Sequence, residues 1–80
     1  EYGDDEIEVH VDSFQSGERV LIVDDVLATG GTLIAAIELA RKCGAIVNKV
    51  IVLFEIDFLE GRKRINEIYP DIEIITLAHA

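Results

Sequence analysis

Eighty residues make at most one small domain, below the roughly 100 to 200 usual for one, so any core is limited in size. A net charge of −9 with seven Lys and Arg argues against a nucleic-acid backbone as partner, which calls for clustered basic residues, while free nucleotides stay compatible. Half of the residues are apolar, yet no uninterrupted run approaches the roughly 18 residues of a membrane span and no signal-peptide pattern opens the chain, so the simplest compartment is the cytosol. A lone cysteine, Cys43, has no internal disulfide partner and no neighbouring His, and reads as a small residue packed on a helix.

In chain order, Glu1-Tyr2-Gly3 leads into the acidic cluster Asp4-Asp5-Glu6, which reads as a solvated loop. Ile7, Val9 and Val11 alternate with Glu8, His10 and Asp12, the period of a strand with one wet face, expected at a sheet edge. Ser13 to Gly17 forms a turn, and Arg19 to Val23 reads as a buried strand that opens into solvent at Asp24 and Asp25. A loop from Ala28 to Thr32 precedes a helix starting at about Leu33. Over Thr32 to Lys42 the positions of Leu33, Ile34, Ile37 and Leu39 with Ala35, Ala36 and Ala40 suit a helix covered on most sides, and Gly44 stops it. Ile46 to Phe54 is a second strong strand. Glu60 to Ile68 has helical spacing, Tyr69-Pro70-Asp71 breaks it, and Ile72 to Leu77 is a last strand. Arg62, Lys63 and Arg64 form the only basic cluster and read as a helix face, while His10 and His79 lack metal-ligand spacing and read as surface residues. Strand, crossover helix and strand define an α/β fold with a parallel sheet.

The chemistry concentrates between Val20 and Thr32. Adjacent acids beside a Gly-Gly turn repel one another, so a cation or hydroxyl donors are needed to justify them. Ala28, Thr29, Gly30, Gly31 and Thr32 combine glycines that let backbone approach an anion, hydroxyl donors, and the positive end of a following helix. No Gly-Lys-Ser/Thr precedes the helix, which argues against a nucleotide-hydrolysing loop, and there is no G-x-G-x-x-G. Carboxylates for hydroxyls and amides for a phosphate describe a site for a sugar phosphate at the carboxyl end of a strand.

The run Val-Leu-Ile-Val-Asp-Asp-Val-Leu-Ala-Thr-Gly-Gly-Thr resembles the phosphoribosyl-diphosphate signature of the type I phosphoribosyltransferases. Glu1-Tyr2-Gly3, the acidic segment and Gly17-Glu18-Arg19 resemble the second half of the adenine-specific branch of that family, with Gly61-Arg62-Lys63 where relatives carry a similar Gly-Arg segment. The resemblance implies part of a Rossmann-like fold, mostly parallel and incomplete at its N-terminal side. Residues 1–80 are then the C-terminal portion of a single domain, as a chain that opens without Met and needs partners for its parallel strands also suggests. It further implies Mg²⁺-dependent transfer of ribose 5-phosphate from phosphoribosyl diphosphate to adenine, giving AMP and pyrophosphate, in a cytoplasmic homodimer.

Carried over by residue, Asp24 and Asp25 hold the ribose hydroxyls, directly or through a hydrated Mg²⁺ that neither ligates directly. Ala28, Thr29, Gly30, Gly31 and Thr32 cradle the 5′-phosphate. Asp24 and Glu1 are the catalytic candidates, Glu1 for proton handling at the purine. Two other classes stay open. A signalling receiver domain also ends a strand in paired acids and would use Asp57 as phospho-acceptor, although the order of elements and Thr-Gly-Gly-Thr argue against it. A noncatalytic relative would keep the cradle to sense a nucleotide or phosphoribosyl diphosphate.

Overall fold

A computed structural model describes residues 8–9 and 17–80. Strand β1 (Glu8–Val9) is followed by β2 (Arg19–Leu27), α1 (Gly31–Lys42), β3 (Ile46–Glu55), a 3₁₀ turn (Asp57–Leu59), α2 (Gly61–Ile68) and β4 (Glu73–His79). The four strands form one sheet in the order β1-β2-β3-β4. The edge strand β1 runs antiparallel to β2, while β2, β3 and β4 are parallel. Each parallel pair is joined through a helix, as parallel pairing requires.

The sheet has two unlike faces, so β2, expected to be buried, alternates between buried and exposed residues from Arg19 to Ile22. Val20, Ile22, Val47, Val50, Val52, Ile72 and Ile74 point to one side and form a single core with Leu33, Ala36, Ile37 and Ala40 of α1 and Ile65 of α2. Both helices therefore cover the same face. On the other side Val23, Ile51 and Ile75 lie in one register row, and Leu21, Leu53 and Leu77 are exposed. A one-residue register shift after Val20 keeps Val47 and Val50 on the helix side despite their odd spacing.

The helix ends obey local rules. The Gly44 amide donates to the Arg41 carbonyl and the Ala45 amide to the Ala40 carbonyl, the paired closure expected where glycine follows a helix. Cys43 caps this end and is exposed, not packed on the helix as the sequence suggests, because it falls one residue past the end of α1 at Lys42. Arg41 then ties α1 to the next connection, donating to the Val47 carbonyl (2.7 Å) and Asp71 (2.9 Å) and lying 5.0 Å from the Tyr69 ring centroid. Among the described residues no helix is long and apolar enough to cross a membrane.

The two boundaries flanking the β2–α1 junction differ from the sequence expectation, and β4 runs on to His79 instead of ending at Leu77. Strand β2 does not end at Val23; it carries Asp24, Asp25 and Val26 on to Leu27, because the ladder with β3 continues through Asp24–Val52, Val26–Phe54 and Leu27–Glu55. Leu27 is completely buried, which anchors the strand end. Helix α1 begins at Gly31, not at about Leu33, so Gly31 and Thr32 form its first turn and the loop proper shrinks to three residues.

Candidate functional site

The parallel strands end on one rim of the sheet, where β2 delivers its two acids and then turns into α1. Asp24 is half-buried and Asp25 exposed. The Asp25 amide donates to Asp24 Oδ1 at 2.7 Å, folding that carboxylate back along its own strand. Successive strand residues point to opposite faces, so the two side chains diverge.

Three residues later Gly30 has φ 93°, a left-handed conformation that glycine adopts without strain, and it serves as N-cap of α1. No side chain caps this end. The ladder begins with the Ile34 amide donating to the Gly30 carbonyl at 2.9 Å. The amides of Gly31, Thr32 and Leu33 precede it and have no intrahelical acceptor. A helix start with uncapped amides, directly after a strand bearing two carboxylates, offers anion-binding donors and hydroxyl-accepting oxygens close together in the chain.

The tip of β3 carries a second cluster of charge. Glu55 is buried at 4% exposure, and its Oε1 accepts from Arg62 Nη2 (2.9 Å) and Thr76 Oγ1 (2.8 Å). Arg62 also donates to the Ile74 carbonyl (2.9 Å) and to Thr76 Oγ1 (2.9 Å). His79 Nδ1 lies 2.8 Å from Asp57 Oδ1 and 3.8 Å from Glu55 Oε1. Burial pushes the Glu55 carboxyl up, but hydrogen bonds from Arg62 and Thr76, with the charges of Arg62 and His79, outweigh it and hold the group below its usual range.

Glu55, Asp57 and His79 bring three ligand atoms within 4.8 Å of one another, a grouping that could hold a metal ion. Glu55 is already engaged by a guanidinium and a hydroxyl, so the group reads as a brace linking β3, α2 and β4. Arg62 lies on a helix face, as the basic cluster suggests, but its guanidinium turns to Glu55; His79 is exposed, as expected of a surface residue, and its ring pairs with Asp57. Nothing in the spacing of Glu55, Arg62 and Thr76 announces their meeting, although the Gly-Arg segment marked its place.

Ala28, Thr29, Gly30, Gly31 and Thr32 lie together in one strand-to-helix turn, with Asp24 and Asp25 just before it on β2. Glu1 and Tyr2, together with the acidic cluster and His10, lie outside the described residues.

Residues 5–78 match the phosphoribosyl transferase domain, and the chain belongs to that family. It is similar in particular to adenine phosphoribosyltransferases: it is 42% identical to that of Acidobacterium capsulatum over 99% of this chain and 41% of the relative. The solved structure of the Thermoanaerobacter pseudethanolicus enzyme superposes with TM-score 0.76 at 43% identity, covering 86% of this chain and 38% of that one. The Trypanosoma brucei enzyme, solved in complex with AMP, pyrophosphate and ribose-5-phosphate, gives TM-score 0.75 at 33% identity over 85% of this chain and 30% of that one. The chain thus spans about two-fifths of the length of the curated relatives it matches. Family membership displaces the receiver-domain alternative, and with it a phospho-acceptor role for Asp57, which is engaged with His79.

Proposed function

We propose that this chain is the C-terminal portion of a single phosphoribosyltransferase domain, and that the whole protein transfers ribose 5-phosphate from phosphoribosyl diphosphate to adenine in purine salvage. The observation that carries this reading is the uncapped start of α1 at Gly30–Thr32, directly downstream of Asp24 and Asp25, in a member of this family. A relative solved with AMP, pyrophosphate and ribose-5-phosphate supports the same substrate class.

In this proposal Ala28, Thr29, Gly30, Gly31 and Thr32 hold the 5′-phosphate through main-chain amides and hydroxyls, helped by the positive end of α1. Asp24 and Asp25 accept hydrogen bonds from the ribose hydroxyls and fix the sugar. The bond from the anomeric carbon to pyrophosphate breaks, its electron pair leaving with pyrophosphate, and the ring takes on positive charge that Asp24 tolerates electrostatically. The purine nitrogen attacks from the opposite face, and its proton passes to a base, the role assigned to Glu1. The chain's contribution is positioning and charge, with no covalent intermediate on the protein.

The donor set fits Mg²⁺ held through water. Both acids offer hard oxygens, yet they diverge as strand neighbours and one Asp24 oxygen accepts a backbone amide, which suits a hydrated ion better than direct ligation by both. When bound, Mg²⁺ neutralises charge on the pyrophosphate leaving group. A cytoplasmic homodimer belongs to the same proposal, and sedimentation tests the dimer.

The deciding assay offers adenine, phosphoribosyl diphosphate and Mg²⁺ to the whole protein and follows AMP. AMP formation is expected, with little or none from these eighty residues alone; steady turnover by the short chain would refute its proposed status as part of the machinery. Ligand binding without turnover in the whole protein would mark a sensor instead.

A further inference from the structure

The proposed phosphate turn does not stand alone, because the N-terminus of α2 presses against its back. The chain bends at Glu60, a non-glycine residue at φ 58° and ψ 34°, and this places Gly61 under the turn. Gly61 is buried, and a Cβ built on it would overlap the Ala28 carbonyl oxygen and come 2.8 Å from Leu27 Cδ1 and 3.1 Å from the Ala28 carbonyl carbon. The approach is mutual: a Cβ on Gly30 would lie 3.0 Å from the Gly61 carbonyl oxygen and 3.4 Å from Ile65 Cγ1. One helical turn further on, Arg64 Nη1 donates to the Thr29 carbonyl at 3.3 Å.

We infer that Gly61 and Arg64 are positioning residues for the anion-binding turn. Gly61 permits the backbone contact that fixes the Ala28 carbonyl, and Arg64 holds the Thr29 carbonyl. With two consecutive carbonyls pinned from behind by α2, the peptide planes that carry the Thr29 and Gly30 amides are set before any ligand arrives. Such preorganisation is what gives main-chain donors their strength toward a charged group. Neither residue touches the ligand in this scheme. The bend at Glu60 adds a local constraint, since a left-handed non-glycine residue persists only where its surroundings hold it. The inference rests on the phosphate reading of the turn for its functional meaning, but the bracing itself has an independent readout.

The test uses three variants of the whole protein, Gly61→Ala, Arg64→Ala and Arg64→Lys, with two measurements on each. The first, without ligand, is the amide spectrum and hydrogen exchange of residues 28–33. The second is affinity for ribose 5-phosphate. Gly61→Ala is expected to shift the turn amides and speed their exchange, and to weaken ribose 5-phosphate roughly a hundredfold, the scale of an ångström-sized misplacement.

Arg64→Ala, at an exposed position that leaves folding intact, is expected to weaken it about threefold, with Arg64→Lys recovering most of the loss. Unchanged turn amides and unchanged affinity in both Gly61→Ala and Arg64→Ala would overturn the inference. If wild type fails to bind ribose 5-phosphate, the phosphate reading falls. The ligand-free amide data still decide the bracing: perturbed turn amides in Gly61→Ala uphold it and undisturbed ones refute it.

Discussion

Two polar regions share the rim where the parallel strands end, and they treat their donors and acceptors in opposite ways. At the tip of β3 the buried carboxylate of Glu55 meets a guanidinium, a hydroxyl and a neighbouring imidazole, and among the described residues no buried side-chain polar atom is left without a partner. At the tip of β2 the helix that follows starts uncapped, with its first-turn amides short of intrahelical acceptors. A closed network braces a fold; an open set of oriented donors is available to a ligand. Position on the rim of an α/β sheet marks both regions alike, so partner satisfaction separates them.

The sharpest way to break this contrast is to remove one group from each region. Asp25→Asn in the whole protein is expected to lower kcat/KM roughly a hundredfold, the scale seen when one preorganised polar group is removed, while the free energy of urea unfolding stays within about 0.5 kcal/mol because Asp25 is exposed. Equal losses of activity and stability would erase the distinction.

Glu55→Gln is expected to do the reverse. It strips the charge facing Arg62 and lowers stability by about 2 kcal/mol in urea unfolding, less than the roughly 3–5 kcal/mol of a fully buried pair because the Arg62 side chain is 36% exposed. Binding of ribose 5-phosphate is expected to weaken far less than in Gly61→Ala, since the Glu55 side chain reaches the turn only through Arg62 and α2.

The pH dependence sharpens the same point. The Glu55 carboxyl titrates below its unfolded value of about 4.3, so its stabilising contribution is fully present above that pH and is lost as pH falls through the lower folded value. The stability gap between wild type and Glu55→Gln is therefore expected to be constant near neutrality and to close in acid below about pH 4. A gap that widens in acid would mean that the carboxyl is held protonated. The smallest effect belongs to Cys43→Ser, at an exposed helix cap outside both regions, expected within about 0.5 kcal/mol of wild type in thermal unfolding.

Much of this arrangement was legible in the residues, and for identifiable reasons. The apolar runs in Arg19 to Val23 and Ile46 to Phe54, helical spacing before Gly44, and the break at Tyr69-Pro70-Asp71 each follow from local composition, periodicity and turn chemistry, and each element is present. The end of β2 is hidden from the sequence because two acids look like a strand end, whereas the ladder to β3 carries them through to buried Leu27. The start of α1 reads late in the sequence because Gly31 and Thr32 are weak helix formers, although they belong to its first turn.

The Glu55–Arg62–Thr76 brace joins a strand end, a helix and another strand. Its members meet through the bend at Glu60, and no sequence period encodes that. The contact between Gly61 and Ala28 is equally silent, because a glycine required for close approach looks the same as one required for a turn.

The most direct measurement is titration of the isotope-labelled chain with ribose 5-phosphate, followed at every backbone amide. Saturable shifts greatest at Gly30, Gly31 and Thr32, and abolished by inorganic phosphate in excess, are the predicted result. Silent amides in that turn, or shifts centred on Arg62 and Thr76, would contradict the assignment of the β2–α1 junction as the phosphate site.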